Sequence, residues 1–361
     1  MIDLAVLGPD PRFGGGGAAQ VEAFLEGARE LGRSPELLFA PHPTFAGRRW
    51  TLDRVETIRQ LRSGLRHASR AKDATSLWVA GPLATHGLAA PPSDRAYGCW
   101  LGTTLDEEWT ARARGLGPGR RLAQRLNAPL LRRFERRLVR EAARVYATSA
   151  ASRTSIAAVG DRDESEVGVL PIPVDTNTFA PEPDERWQAR LETPVLVFVG
   201  RADDPRKNLT LLLEALPLIR ARVPGTRLRL IGRPPAQVPD GVDALGEAPS
   251  IVGPLREAAL FVLPSWQEGF GIVAAEALAC GVPVVITPSG GPEQLVRDSG
   301  AGRVLSGFGV EELAETVSEL LGDVATLRRM RAAGREYVVR EHSPDRFRPL
   351  LAAALASVDS A

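Results

Sequence analysis

Short apolar runs alternate with longer segments of helical periodicity along most of the chain. The apolar runs in the first part are typical of buried strands, and they lie at 2–7, 36–40, 76–80, 96–101, 144–148 and 167–170. Between the first two runs, Val21, Phe24, Leu25 and Ala28 recur with the spacing of one helical face, which predicts a helix over 18–31. A second helix is predicted near 152–159. This alternation indicates a parallel, doubly wound α/β sheet.

The same alternation starts again after a proline-rich segment at 171–183, which we interpret as an interdomain linker. The predicted elements of the second part are strands at 195–199, 227–231, 260–263 and 282–286 and helices at 209–221, 272–280 and 310–321. The chain ends in a helical segment over 345–358. The sequence therefore predicts an α/β protein with two domains, at 1–172 and 173–343, followed by a C-terminal helix within 344–361.

Composition and charge describe a chain without a general attraction for nucleic acid. Its 361 residues suit two domains, and its formal net charge is only +1. No apolar run is long enough to span a bilayer, and the start of the chain lacks the basic residues of a signal peptide. Cys99 and Cys280 stand in apolar surroundings without metal-ligand spacing, so we predict two reduced core thiols and a cytoplasmic location.

The most informative stretch runs from 261 to 285 and reads as strand, glycine-rich loop, helix and strand. Glu268 stands at the carboxyl end of the first strand, the edge where open α/β sheets bind ligands. Glu276 stands in an apolar helix, where an ionised carboxylate needs hydrogen-bond donors such as sugar or ribose hydroxyls. The helix start also offers free N–H groups to a phosphate. The alternative is a loop carboxylate and a surface helix residue without a ligand.

A second constellation leaves the strand at 195–199 and enters the next helix. Arg201 at the strand's end and Lys207 beside the helix start place two cations at the ligand edge of the second sheet. Asn208 is a suitable N-cap residue for that helix. Fixed cations and helix-start amides stabilise the negative charge that builds on a leaving diphosphate. A solvated basic turn is the alternative interpretation.

The first stretch resembles the signature of the family-4 retaining glycosyltransferases, P-S-x-x-E-G-F-G-x-x-x-x-E-A-x-A-x-G-x-P-V-V. Residues 200–207 resemble the family's G-R-x5-K segment, and the resemblance is strong over about 194–340 and weaker over 1–170. It implies the GT-B fold, in which two Rossmann-like domains face each other across a cleft. The first domain would bind the acceptor and the second the nucleotide sugar, and the C-terminal helix would cross back to the first domain.

The family's motifs assign roles to residues of this chain. The resemblance implies that Glu268 faces the donor sugar and that Glu276 holds the nucleotide ribose. It also implies that Arg201 and Lys207 neutralise the diphosphate, so that Arg201, Lys207 and Glu268 are the catalytic residues. The further donor-binding residues that it implies are Gly15, Gly16, Gly200, Gly269, Phe270, Gly271, Ile272 and Val273.

A retaining glycosyltransferase is therefore the expected function, with a nucleoside-diphosphate sugar as a substrate and no cofactor. The family implies a UDP-sugar, no metal, and a front-face mechanism in which the leaving diphosphate takes the proton of the acceptor hydroxyl. The acceptor, whether a saccharide, a lipid-linked glycan or a small molecule, is not indicated. A sugar-nucleotide epimerase of the same fold is one alternative. A Rossmann oxidoreductase using the glycines at 14–17 is another, although no acidic residue follows the second strand to hold its ribose.

Two residues of the first domain and one acidic motif are open to more than one interpretation. Thr103 follows a predicted strand and is a candidate for the acceptor side. His86 is either an active-site residue on that side or a loop histidine. The D-x-D sequence at 161–163 is the metal motif of the other glycosyltransferase fold, but its charged surroundings favour a solvated loop.

The segment 112–140 is strongly basic, and only Glu135 opposes its arginines. Leucines interleave with the arginines, which is the pattern of an amphipathic element resting on an anionic membrane surface. The alternative is an arginine-decorated helix of the domain, in a chain whose basic residues are almost all arginine. Pro129 is expected to interrupt or start a helix here.

Overall fold

The structure, a computed structural model, describes residues 2–9, 15–38, 71, 74–87 and 96–361. The chain divides into two compact units. The first lies within 1–173 and also contains Asp345–Ala361, and the second is Val174–Pro344. Over the described residues, each unit contains one sheet of six strands.

The first unit is built on a sheet whose strands are β1 (Ile2–Leu7), β2 (Pro35–Leu38), β3 (Ala74–Gly81), β4 (Gly98–Leu101), β5 (Arg144–Ala147) and β6 (Val167–Val169). Its helices are α1 (Gly16–Glu30), α2 (Leu105–Ala113), α3 (Pro118–Glu141) and α4 (Ala150–Val159). The strands lie in the order β2-β1-β3-β4-β5-β6, and every pair is parallel. Successive residues of β1, such as Leu4, Ala5 and Val6, are all buried, as expected when helices cover both faces of a parallel sheet.

The second unit is built on a sheet whose strands are β7 (Val195–Val199), β8 (Arg227–Ile231), β9 (Val242–Gly246), β10 (Leu260–Leu263), β11 (Val284–Ile286) and β12 (Gly302–Val304). Its helices are α5 (Asp184–Arg190), α6 (Leu209–Arg222), α7 (Val252–Arg256), α8 (Ile272–Ala279), α9 (Gly291–Ser299), α10 (Val310–Gly322) and α11 (Val324–His342). The strand order is β12-β11-β10-β7-β8-β9, which is the order of a dinucleotide-binding sheet. The chain winds outward from β7 to β9 and then returns to the other side of β7 at β10. The switch point of this sheet therefore lies between β7 and β10.

The last helix, α12 (Pro344–Asp359), belongs to the first unit. Its Phe347 lies against Trp100 of β4, with ring centroids 5.6 Å apart. A Cβ on Gly27 of α1 would lie 2.7 Å from the side chain of Leu351, so a glycine there lets the two helices approach closely. The terminal helix thus completes the core of the unit in which the chain begins.

Most predicted elements are present within a few residues of their predicted bounds. The strand predicted at 36–40 is β2, and residues 39 and 40 lie outside the described residues. The strand predicted from 282 is β11, which begins at Val284. Pro283, directly before it, has no N–H to donate to the sheet.

One local prediction is wrong, and another is confirmed only in position. Pro129 neither interrupts nor starts a helix, because α3 runs continuously through it. A proline inside a helix costs about 3 kcal/mol. Here Ala128 and Leu131 are buried on either side of Pro129, while Pro129 itself is exposed, where water can solvate the carbonyl that loses its donor. Asn208 stands at the N-cap position of α6, but its backbone is left-handed, with φ of 47°, and its side chain caps nothing.

Both cysteines are free and buried, as the sequence predicts. Burial raises the pKa of Cys99 and of Cys280 to about 12. Because the thiolate is the nucleophilic form, both thiols are unreactive at neutral pH. They pack as core residues and contribute nothing to the chemistry described below.

Candidate active site

The carboxyl ends of β7 and β10 lie side by side at the switch point of the second sheet. Gly200 and Arg201 follow β7, and the segment from Ser265 to Gly271 follows β10. Ligands of open α/β sheets bind at this edge. The strand order therefore joins two segments that are far apart in sequence, so that Lys207 meets Glu268 across 61 positions.

The turn after β7 is fixed by the end of the neighbouring strand. Gly232, which follows β8, has φ of +109°, and a Cβ there would lie 2.3 Å from the carbonyl oxygen of Gly200. The N–H of Ala202 donates to the carbonyl of Arg233 at 2.8 Å. The residues directly before and after Arg201 are thus held against the end of β8.

A buried carboxylate, Asp204, arranges the cations of this turn. It caps the 3-10 turn Pro205–Lys207 by accepting the N–H of Arg206 at 3.2 Å. Its Oδ2 lies 3.5 Å from Nη2 of Arg201 and 3.6 Å from Nη2 of Arg206. The Arg201 side chain is still 49% exposed, so it is oriented by Asp204 and accessible to a ligand.

Glu268 is a buried carboxylate held by cations of the other segment. Its Oε1 accepts hydrogen bonds from Nζ of Lys207 and Oγ of Ser265, each at 2.6 Å, and its Oε2 lies 4.0 Å from Nη1 of Arg206. Burial alone would raise the pKa of Glu268, but the charges of Lys207 and Arg206 and these hydrogen bonds outweigh burial and lower it. Glu268 is therefore ionised at neutral pH and fixes the ammonium group of Lys207.

The loop after β10 packs tightly against the segment after β11. The N–H of Glu268 donates to the carbonyl of Ser289 at 2.7 Å, and the N–H of Gly291 donates back to the carbonyl of Glu268 at 3.2 Å. A Cβ on Gly291 would lie only 2.0 Å from the carbonyl oxygen of Gly269. Gly271 has φ of +81°, which glycine adopts without strain. Glycines at 291 and 271 are thus required by the path of this loop.

Gly291→Ala is expected to displace the loop, because the carbonyl oxygen of Gly269 has to move away from the new Cβ. We expect the free energy of unfolding to fall by about 1–3 kcal/mol, the usual range for overpacking. Urea denaturation measures this change. Gly253→Ala is the matched control, because a Cβ on Gly253 would have no neighbour within 4 Å. Equal stability of the two variants would contradict the packing argument.

Helix α8 begins directly after this loop and has no side-chain cap. Gly271 is its N-cap residue, so the first N–H groups of the helix, at Ile272 and Val273, have no partner inside it. These amides and the positive end of the helix dipole attract an anion. Phe270 is buried, and its ring lies 5.3 Å from the ring of His342, which anchors the loop to the end of α11.

Glu276 lies in α8 and differs from Glu268 in its environment. Its side chain is only partly exposed, and no hydrogen bond to its carboxylate is formed by the residues that the structure describes. Burial among apolar atoms raises the pKa of Glu276 to about 8. A carboxyl group in this state gains from any ligand that donates hydrogen bonds to its ionised form.

The predicted donor-binding glycines of the first unit form the start of α1. Gly15 has φ of +83° and is the N-cap residue of α1, which begins at Gly16. Gly14 lies outside the described residues. The contact of Gly15 and Gly16 with the donor phosphates stays a prediction.

The two candidates for the acceptor side also lie in the first unit. Thr103 is buried, and its hydroxyl donates to Oε2 of Glu107 at 2.8 Å, at the start of α2. His86 lies in the 3-10 turn Ala84–Gly87, and its side chain is not among the described ones. Their roles towards an acceptor stay predictions.

The carboxylates of the D-x-D sequence have partners within the protein. Asp163 accepts the N–H of Ser165 at 2.8 Å and caps the 3-10 turn Glu164–Glu166. Oδ2 of Asp161 lies 3.7 Å from Nε of Arg136. Across the described part of the chain, no three His, Cys, Asp or Glu residues are grouped so that they could hold a metal ion.

Three residues of the site were not predicted as such. Asp204 and Arg206 lie between the predicted Arg201 and Lys207, and Ser265 belongs to the motif of Glu268. The P-S-x-x-E spacing was a usable signal for Ser265. The sequence did not indicate Arg206 as a site residue, because arginines are frequent throughout this chain.

Residues 193–323 match the family of glycosyl transferases group 1. The chain is 36% identical over 195 residues to a GDP-mannose-dependent alpha-(1-6)-phosphatidylinositol monomannoside mannosyltransferase of Mycolicibacterium smegmatis, covering 47% of this chain and 51% of the relative. It is 31% identical over 213 residues to a D-inositol 3-phosphate glycosyltransferase of an Arthrobacter species, covering 53% of this chain and 50% of the relative. The chain thus spans about half the length of the curated relatives that it matches.

Solved structures share the fold over nearly the whole chain. Sucrose-phosphate synthase from Thermosynechococcus elongatus has a TM-score of 0.78 at 17% identity, with 100% of both chains covered. WaaG, a glycosyltransferase involved in lipopolysaccharide biosynthesis, has a TM-score of 0.71 at 16% identity, with 97% of this chain and 99% of WaaG covered. The chain thus has the GT-B fold, and its segment 193–323 is similar to the group 1 glycosyltransferases, as the resemblance to the family-4 enzymes implies.

Proposed function

We propose that the protein transfers a sugar from a nucleoside-diphosphate sugar to a hydroxyl group, with retention of the anomeric configuration. One observation carries this proposal: Arg201, Lys207 and the uncapped start of α8 belong to the segments that follow β7 and β10 at the switch point. Such a set of cations and free amides suits a diphosphate. The names of the relatives, a mannosyltransferase and an inositol phosphate glycosyltransferase, support the same class of reaction.

The proposed role of the cations is to stabilise the leaving diphosphate. As the bond between sugar C1 and the β-phosphate oxygen breaks, negative charge builds on the diphosphate. Lys207 is already held by Glu268 at 2.6 Å and Arg201 by Asp204, so little reorganisation is needed when this charge appears. The same cations supply the charge that a divalent metal ion supplies in other phosphate sites, and we propose that no metal is needed.

The acceptor oxygen is proposed to attack C1 from the face on which the diphosphate leaves. The C1–oxygen bond to the acceptor forms as the bond to the diphosphate breaks. The acceptor proton passes to the departing phosphate oxygen, so that no protein side chain has to act as a general base. Glu268 is ionised, and its hydrogen bonds to Lys207 and Ser265 suit a positioning role and a sugar contact rather than proton transfer.

Glu276 is proposed to hold the ribose of the nucleotide. Two ribose hydroxyls would supply the donors that its carboxylate lacks among the described residues. Hydrogen bonds to a charged group contribute about 1.5–3 kcal/mol each. This contact would anchor the nucleoside at α8 while the helix start meets the diphosphate.

This role of Glu276 predicts a pH dependence of donor affinity. Below its pKa of about 8 the free protein holds a proton on Glu276, which binding has to release, so affinity rises with pH and levels off above about 8. The limiting slope is about tenfold per pH unit. Calorimetric titration of the intact donor from pH 6.5 to 8.5 measures it, and Glu276→Gln is the control, whose affinity should not vary. A wild-type affinity that is flat over this range would contradict the assignment.

The nucleotide base is proposed to be uracil or guanine. UDP was the prediction from the sequence, whereas the mannosyltransferase relative is named as GDP-mannose-dependent. Both donors therefore belong in the first screen, and UDP stays a prediction.

A thermal-shift screen tests the proposed function. We expect stabilisation by one nucleoside-diphosphate sugar and its free diphosphate, unchanged by EDTA, and none by NAD. Stabilisation by NAD would favour the oxidoreductase that uses the glycines at 14–17. Conversion of the bound donor into an epimeric nucleotide sugar would favour an epimerase, and a requirement for Mn²⁺ or Mg²⁺ would show that the cations alone are insufficient.

A further inference from the structure

Helix α3 carries a row of leucines on its solvent side. Leu122, Leu126 and Leu130 are 59%, 58% and 47% exposed, and the first two are the most exposed large apolar side chains among the described residues. They are four positions apart and therefore neighbours on one helical face. Three adjacent exposed leucines form an apolar row of a kind that soluble surfaces usually avoid.

The second half of the same helix carries a cationic pocket. Arg133, Arg136, Arg137 and Arg140 line a concavity of about 440 Å³ together with Glu141. Their spacing of three and four residues continues the face of the leucines. Within the part of the chain that the structure describes, no carboxylate lies within ion-pair distance of Arg133 or Arg140. The pocket thus has more positive than negative charge.

The inner face of α3 fixes this orientation. Gln124, Leu131 and Leu138 are buried, and Gln124 donates to the carbonyl of Trp109 at 3.1 Å. The buried carboxylate of Glu135 accepts the N–H of Leu105 at 2.9 Å and joins α3 to the start of α2. Turning the leucines inward would expose these groups, so the apolar row stays outside.

We propose that the outward face of α3 is a docking surface for a membrane that contains anionic lipid. Leu122, Leu126 and Leu130 would enter the boundary between headgroups and acyl chains, and the arginine pocket would bind headgroup phosphates. At about 1.5 Å per residue the 24 residues of α3 extend roughly 36 Å, enough for the leucines and the pocket to reach the surface together. The helix would lie in the plane of the membrane, and no helix in the described part of the chain could cross one.

The chemistry of this face favours a lipid surface over other partners. A nucleic acid would satisfy the arginines and leave the leucines in water. A second copy of the chain could cover the leucines with its own leucines, but this contact would leave the arginine pockets without anions. An anionic bilayer offers phosphates to the arginines and apolar surroundings to the leucines at the same time.

Sedimentation with vesicles tests the contribution of the arginines on the outward face of α3. The wild-type protein should bind vesicles of phosphatidylcholine with 30% phosphatidylglycerol, bind pure phosphatidylcholine much less, and lose most of its binding as NaCl rises from 50 to 500 mM. The triple variant Arg133→Gln, Arg136→Gln, Arg140→Gln should bind roughly 100-fold more weakly, from about 1 kcal/mol for each basic residue near such a surface. The control variant Arg222→Gln, Arg297→Gln, Arg340→Gln removes equal charge from exposed sites of the second unit and should bind like the wild type.

A second pair of variants tests the apolar half. The variant Leu122→Ser, Leu126→Ser, Leu130→Ser should lose the binding that remains at high salt, while Leu218→Ser, Val238→Ser, Leu245→Ser, which changes exposed apolar residues elsewhere, should keep it. Thermal melting confirms that each variant is folded. The proposal is overturned if both lipid mixtures bind the wild type equally or not at all, or if the two arginine variants bind alike. It is also overturned if the leucine changes only convert a dimer into a monomer in sedimentation velocity.

Discussion

Lys207→Ala is expected to lower kcat/KM for release of the nucleoside diphosphate from the donor by about 10²–10³-fold. The ammonium group of Lys207 stands at the ligand edge of the sheet and is fixed by Glu268 at 2.6 Å. In the proposed reaction it acts on charge that appears only as the donor breaks, so most of the loss should fall on kcat. Steady-state kinetics with the donor selected by the thermal-shift screen measure the change. Arg297→Ala, which removes an exposed cation far along the chain, is the control and should keep the normal rate.

A double-mutant cycle separates the proposed action of Lys207 on the diphosphate from a purely structural role. If Lys207 only neutralises the buried charge of Glu268, the double variant Lys207→Ala, Glu268→Gln should regain most of the lost activity. We expect it to stay at least about 100-fold slow, because no cation then faces the diphosphate from this position. Thermal melting shows whether the single variant, which leaves Glu268 buried without its main partner, is still folded.

The second large effect separates the two glutamates of the motif. Glu276→Gln should weaken the binding of donor and free nucleoside diphosphate alike by about tenfold or more, since a hydrogen bond to a charged group is lost. Its KM should therefore rise more than its kcat falls. Glu268→Gln should instead lower kcat by about 10–100-fold, because Lys207 loses the anion that holds it and the sugar loses its proposed contact.

Free nucleoside diphosphate distinguishes these roles most clearly. Glu268→Gln should keep its nucleotide affinity, since removing the carboxylate's charge leaves Lys207 available to phosphate. Calorimetry of both variants with UDP and GDP, beside their kinetics, decides the matter. Loss of nucleotide affinity in Glu268→Gln, together with a loss of kcat alone in Glu276→Gln, would mean that the two roles are reversed.

Much of the fold was predictable because its signals are local. Apolar runs ended by glycines indicate the strands of a parallel sheet, and every predicted strand is present, whereas β9 and β12 were not predicted. Pro129 was misjudged because helix propensity is a local quantity, whereas the burial of Ala128 and Leu131 that holds α3 together is tertiary. Asn208 stands at the predicted N-cap position, but its lack of a side-chain cap was not anticipated, because its left-handed backbone follows from the preceding turn, which Asp204 caps.

The composition of the candidate site was predictable, but its contacts were not. Glu268, Lys207 and Arg201 stand in motifs that the sequence shows directly. That Lys207 bonds to Glu268 depends on β10 lying beside β7, and strand order cannot be deduced from the spacing of apolar runs. For the same reason the proximity of Arg206 to Glu268 was not anticipated. The different charge states of Glu268 and Glu276 also follow from burial and neighbours that only the folded chain provides.

Above all, we propose that the cations after β7 and the start of α8 bind the diphosphate of a nucleotide sugar. Calorimetric titration with a nucleoside diphosphate and the matching nucleoside monophosphate, on the wild type and on Lys207→Ala, tests it most directly. We predict that the wild type binds the diphosphate at least about tenfold more tightly than the monophosphate, as expected for a charge-assisted contact. Lys207→Ala should lose most of that preference and keep its affinity for the monophosphate. Equal affinity of the wild type for both nucleotides, or a preference that survives in Lys207→Ala, would contradict the claim.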